Sequence, residues 1–138
     1  MITLVTSWYI FKCKFNKETY NNWIKNLVLN VKKFNLVIFT NEASKHMILP
    51  LVDKNPNIKV IIMEVNEFYN FKYKEEWYSN HLMNKILLNW VNWQVNMLWS
   101  EKINFVKKVA DEKIFDTEYY GWCDIGYFRG RPNQDIPS

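Results

Sequence analysis

Cysteine and histidine are scarce in this chain of 138 residues, two of each. Cys13 and Cys123 have neither metal-ligand spacing nor the density of a disulfide framework. Both lie beside strand-like runs, where a reduced, packed thiol is expected, and reduced thiols fit a cytoplasmic setting. His46 and His81 have no ligand-spaced partner, which speaks against zinc. No stretch approaches the ~18 consecutive apolar residues of a membrane span. The start, MITLVTSWYI, lacks the charged beginning, long apolar run and cleavage site of a secretory signal. Charge of one sign is not concentrated either. Lysines scatter from Lys12 to Lys113, so the net charge of +4 builds no stripe for a polyanion. No internal repeat and no RNA-binding aromatic motif is present, and no nucleic-acid partner is expected.

What the chain does have is apolar residues at 49%, against 23% charged, a balance that excludes disorder. Its length suits one domain able to bury roughly two-thirds of its unfolded surface. The aromatic share, 17%, is high enough for a ring-lined pocket as well as a core. Ile2 to Thr6 reads as a buried strand, and Tyr20, Trp23, Ile24, Leu27, Val28 and Val31 recur at helical steps between Lys17 and Lys33. Leu36 to Phe39 is a second strand, with Thr40 or Asn41 placed to cap a helix from about Glu42 to Asp53 that Pro50 interrupts or ends. After a turn at Asn55 to Asn57, Ile58 to Val65 gives a third strand.

Asn66 to Asn80, rich in rings without a clean period, is expected as a loop or short helical turns. From His81 to Asp111 a helical region carries one stripe through Leu82, Met83, Ile86, Leu87, Trp90 and Val91. Leu98, Trp99, Ile103, Val106 and Val109 make a second, offset as by a break near Trp93 to Asn96. Glu118 to Cys123 is a fourth strand, and the tail from Arg129 is rich in turn formers. Strands alternating with helices predict an α/β, three-layer, Rossmann-like domain whose mostly parallel sheet has the order 3-2-1-4.

In such sheets ligands sit beyond the carboxyl ends of the strands. Thr6, Ser7, Trp8 and Tyr9 follow the first strand, Thr40 and Asn41 the second, and Asp124 and Gly126 the fourth. On an extended chain positions 124 and 126 share a face, so Gly126 would leave space beside the Asp124 carboxylate. Carboxylate oxygens suit Mg²⁺ or Mn²⁺, which share one or two protein carboxylates with substrate phosphates. The plainer roles are a strand-ending carboxylate for Asp124, a turn for Gly126, helix caps for Thr40 and Asn41, and core packing for Trp8 and Tyr9. Arg129 and Arg131, the only arginines, are placed for phosphate or acceptor contacts or for a surface loop.

TSWY, FTN, NMLWSEKINFV and YYGWCDIGYFR together resemble the HtrL/YibB-like proteins, which are similar to nucleotide-sugar-dependent glycosyltransferases of the GT-A type. The resemblance spans most of the chain, with LWSEKINFV and WCDIG its most specific parts. It implies a single nucleotide-sugar-binding domain over residues 1–138, without the acceptor-binding half. Asp124 would stand where the first carboxylate of a DxD motif holds Mn²⁺ or Mg²⁺ against the donor diphosphate, and position 126 is glycine where the second would be. By the same resemblance, Asn96 and Lys102 face the nucleotide sugar, and the acceptor is an unspecified glycan, lipid or protein. The competing expectations are a non-enzymatic nucleic-acid- or protein-binding module, suggested by pI ≈ 9.0, and a sugar-nucleotide-binding domain without catalysis.

Overall fold

A computed structural model describes residues 1–11, 16–86 and 88–128. Cys13, Leu87, Arg129, Arg131 and the tail that follows them lie outside the described residues.

Four parallel strands form one sheet in the order β3-β2-β1-β4. They are β1 (Ile2–Ser7), β2 (Asn35–Thr40), β3 (Ile58–Ile62) and β4 (Tyr119–Trp122). The order matches the expectation from sequence. Every residue of β2 is buried, which is why NLVIFT reads as a continuous apolar run instead of an alternating one. Its side chains divide between two cores. Leu36 and Ile38 join Ile24 and Leu27 of α1 (Lys17–Leu29) on one face. Val37 and Phe39 pack on the other against Met97 of α4 (Trp93–Ser100) and Phe105 and Val109 of α5 (Lys102–Asp111). Phe39 and Phe105 stack with centroids 4.5 Å apart; burying each such side chain stabilises the fold by about 1.5–3 kcal/mol.

Helix α1 begins where expected because Asn16 caps it, its Oδ1 accepting from the Thr19 N–H at 2.8 Å. Three segments differ from the sequence expectation. The helix foreseen from Glu42 to Asp53 is a 3₁₀ turn at Lys45–Met47 followed by a single helical turn, α2 (Leu49–Val52). Pro50 lies in the first turn of α2, where its missing N–H has no partner to lose, so it starts a helix and does not end one. The third strand stops at Ile62, since Glu64 and Glu67 form a reciprocal capping box that turns the chain into a 3₁₀ segment.

The region from His81 to Asp111 is not one interrupted helix. α3 (Lys74–Met83) starts inside the ring-rich stretch, and the described residues between Asn84 and Asn92 are non-helical. Asn92 then caps α4 by accepting from the Gln94 N–H at 2.9 Å. Of that stripe, Leu82, Met83, Ile86 and Trp90 are exposed and form no core face, while Val91 is buried. No helix among the described residues is long and apolar enough to cross a membrane.

Candidate functional site

β1 pairs with β2 on one side and β4 on the other. The helix that leaves β1 covers one face of the sheet, while α5, which leads into β4, covers the opposite face. The two crossovers thus diverge at β1 and β4, and a crevice opens beyond their carboxyl ends, as expected at the switch point of a parallel sheet.

A cavity of about 650 Å³ occupies this place. Ser7, Trp8 and Tyr9, continuing from β1, line one part of it, and Trp122, Asp124 and Gly126, continuing from β4, line another. Tyr20 and Trp23 enter from the first turns of α1, and Val95, Leu98 and Trp99 from α4. Trp8, Trp23, Trp90, Trp99 and Trp122, five of the seven tryptophans, border it.

Asp124 and Lys102 meet at the mouth. Lys102 Nζ donates to Asp124 Oδ1 at 3.0 Å, and the Trp122 indole N–H donates to the same oxygen at 2.7 Å. The Lys102 ammonium also lies 5.4 Å from the centre of the Trp122 ring. That ring is held in turn, nearly parallel to Phe105 at 6.2 Å. The side chains of Lys102 and Asp124 are 37% and 66% exposed, so the pair contributes only ~0–1 kcal/mol to stability. Its geometry is set by the packed rings beneath it, and an ammonium has three donors, of which this bond uses one.

The expected site residues divide cleanly. Ser7, Trp8, Lys102, Asp124 and Gly126 line the crevice; Thr6, Thr40, Asn41 and Asn96 do not. Thr6 and Thr40 are buried. The Thr40 hydroxyl donates to the Trp8 carbonyl at 2.6 Å, and Asn41 Oδ1 accepts from the Ser44 N–H at 3.0 Å. Both therefore serve the chain's own backbone, the capping and turn roles that compete with ligand binding for such residues. Arg129 lies outside the described residues. The alternation that was to align positions 124 and 126 also fails. β4 ends at Trp122, and the Tyr127 N–H donates to the Asp124 carbonyl at 3.0 Å, closing a turn. Gly126 reaches the crevice through that turn and not along a strand.

Trp122, Tyr20, Trp23 and the α4 wall were read from sequence as strand or core residues. A signal was available for two of them. A helix that follows a parallel strand starts at the strand's carboxyl end, so rings in its first turns, Tyr20 and Trp23, fall beside any crevice there.

Two titratable neighbours are held neutral. Burial, with the Asp124 charge second, pushes the Cys123 thiol up to about 12, so it is no nucleophile near neutral pH. Burial, followed by the charges of Glu64, Glu101 and Glu67, raises the Tyr9 phenol well above its ordinary value, and its hydroxyl donates to the Met63 carbonyl at 2.8 Å.

Among the described residues, no group of three or more His, Cys, Asp or Glu is assembled for a metal. A cation at Asp124 would thus draw a single carboxylate from the chain and complete its shell with phosphate oxygens and water. Mg²⁺ and Mn²⁺ accept that arrangement. No family model, curated protein or solved structure matches this chain.

Proposed function

We propose that this chain binds a nucleotide-diphospho-sugar in the switch-point crevice and serves as the donor-binding domain of a glycosyltransferase. The observation that carries this reading is the Lys102–Asp124 pair at the mouth of the crevice between β1 and β4. The two remaining ammonium donors of Lys102 suit diphosphate oxygens. The rings that line the cavity offer apolar surface for a base or for the apolar side of a sugar.

In the transfer, the bond between the anomeric carbon and the diphosphate oxygen breaks, and its electron pair departs with the nucleoside diphosphate. The acceptor hydroxyl oxygen forms the new bond and releases its proton. Lys102 offsets charge gathering on the departing diphosphate. Trp122 holds Asp124 in place by its indole N–H. Mg²⁺ or Mn²⁺, held by Asp124, would add further positive charge at the same oxygens.

Thermal shift with UDP- and GDP-sugars, with and without Mn²⁺, tests this directly, because a ligand that binds only the folded chain raises its melting temperature. A shift that Asp124→Asn and Lys102→Met both reduce is the expected outcome. If neither nucleotide sugar moves the melting temperature while an RNA oligonucleotide does, the transferase reading is wrong.

A further inference from the structure

We infer that the apolar part of the crevice takes the acceptor, and that this acceptor is an amphiphile: a neutral hydroxyl-bearing head, such as a single sugar, on an apolar body. This rests on the nucleotide-sugar reading, which gives the Lys102 and Asp124 end to the donor.

The polar groups of the cavity are few, and some are engaged, while the buried Trp8 indole N–H has no partner among the described residues. The Trp122 N–H is committed to Asp124, and the Tyr9 hydroxyl to the Met63 carbonyl. Beyond Ser7, Lys102 and Asp124 the wall is made mainly of apolar and aromatic side chains, Val91, Val95 and Leu98 among them. A ligand hydroxyl buried there without a partner costs about 1–3 kcal/mol. Apolar surface in the same place gains roughly 25 cal/mol per Å². A wholly polar acceptor therefore fits the wall badly, and an apolar body fits it well.

The wall also continues outward. Ile86, Trp90 and Trp99 border the cavity yet remain 77%, 65% and 49% exposed. A body longer than the cavity would lie along these side chains and cover them. The head should be neutral, because Asp124 repels an anion and the Lys102 ammonium is the donor's counter-charge.

The test is titration of the full chain with octyl glucoside below its micelle concentration, followed by tryptophan fluorescence, beside a parallel titration with UDP-glucose. Saturable binding is expected, with no response to glucose alone. Trp90→Ser, at an exposed position, should weaken octyl glucoside about tenfold through lost apolar contact, with the melting temperature unchanged. Lys102→Met should leave that binding within about twofold while weakening UDP-glucose. Absence of saturable binding, or equal affinity in Trp90→Ser, overturns the inference and leaves the donor site standing. Octyl glucoside binding without binding of any UDP- or GDP-sugar overturns the acceptor role together with the transferase reading. Self-association that buries the same tryptophans and that octyl glucoside does not displace assigns the face to a second copy of the chain, and also overturns it.

Discussion

Glu101 and Lys102 are adjacent in the chain and serve opposite environments. Glu101, only 2% exposed, accepts hydrogen bonds from the backbone N–H groups of Tyr69 and Asn70 at 2.8 and 3.1 Å. Its Oε1 also accepts from the side-chain amides of Asn70 and Asn104. Lys102 turns the other way, into the crevice, to reach Asp124. A buried anion thus fixes the start of α5, and the position of the cation beside the crevice follows from it.

Glu101→Gln removes that charge while keeping the shape, and leaves the backbone donors with a weaker acceptor. A loss of about 2–3 kcal/mol is expected, in line with hydrogen bonds to buried charged groups. Urea unfolding measures it. The same variant should lose part of its affinity for UDP-sugars although Glu101 touches no ligand, which binding calorimetry would detect.

Asp124→Asn and Lys102→Met should each change stability by less than about 1 kcal/mol, because the pair is solvent-exposed. Their effect on nucleotide-sugar affinity should be larger, about tenfold for Lys102→Met, as expected for a charge-assisted contact. Loss of fold in either variant, seen by circular dichroism, would show the pair to be structural.

Phe105→Ala deletes the ring that stacks on Phe39 and lies beneath Trp122. It should cost about 3–5 kcal/mol, and by loosening Trp122 it should also weaken ligand binding in whatever fraction stays folded. Thermal denaturation gives the first quantity and fluorescence titration the second.

The Cys123 thiol should resist alkylation in the folded chain. Its pKa is raised from 9.0 to about 12 by burial and by Asp124, so the folded state holds this proton more tightly than the unfolded one. The resulting stability is therefore complete below about pH 9 and declines as pH rises from there towards 12. Comparing the pH dependence of urea midpoints for the natural chain and Cys123→Ala isolates this contribution. Equal slopes above pH 9 would contradict it.

The sheet was legible in the sequence because its inner strands β1 and β2 are largely buried, and unbroken runs such as NLVIFT leave little room for another assignment. The helix boundaries were less so. Leu82, Met83 and Ile86 have helical spacing and apolar character, but periodicity cannot say whether a stripe meets the core, and here it faces out. At the site, Ser7, Trp8, Lys102, Asp124 and Gly126 were recoverable from strand ends and the family resemblance. Thr40 and Asn41 were not separable in advance, since a hydroxyl or amide after a strand can bind a ligand or its own backbone. Trp122 escaped notice because its role comes from its indole N–H reaching two residues onward, which no sequence pattern encodes.

The central place of β1 has a consequence for how the chain is made. Residues 2 to 7 are synthesised before both of their partner strands, and one edge of that strand meets β2 early, yet its other edge waits for residues 119–122. Until ribosomes deliver those residues, a row of backbone N–H and C=O groups beside Val5 stays open to pairing with other nascent chains. Long-range closure of this kind is slow, and premature termination before Tyr119 should yield inclusion bodies and not a smaller soluble fold.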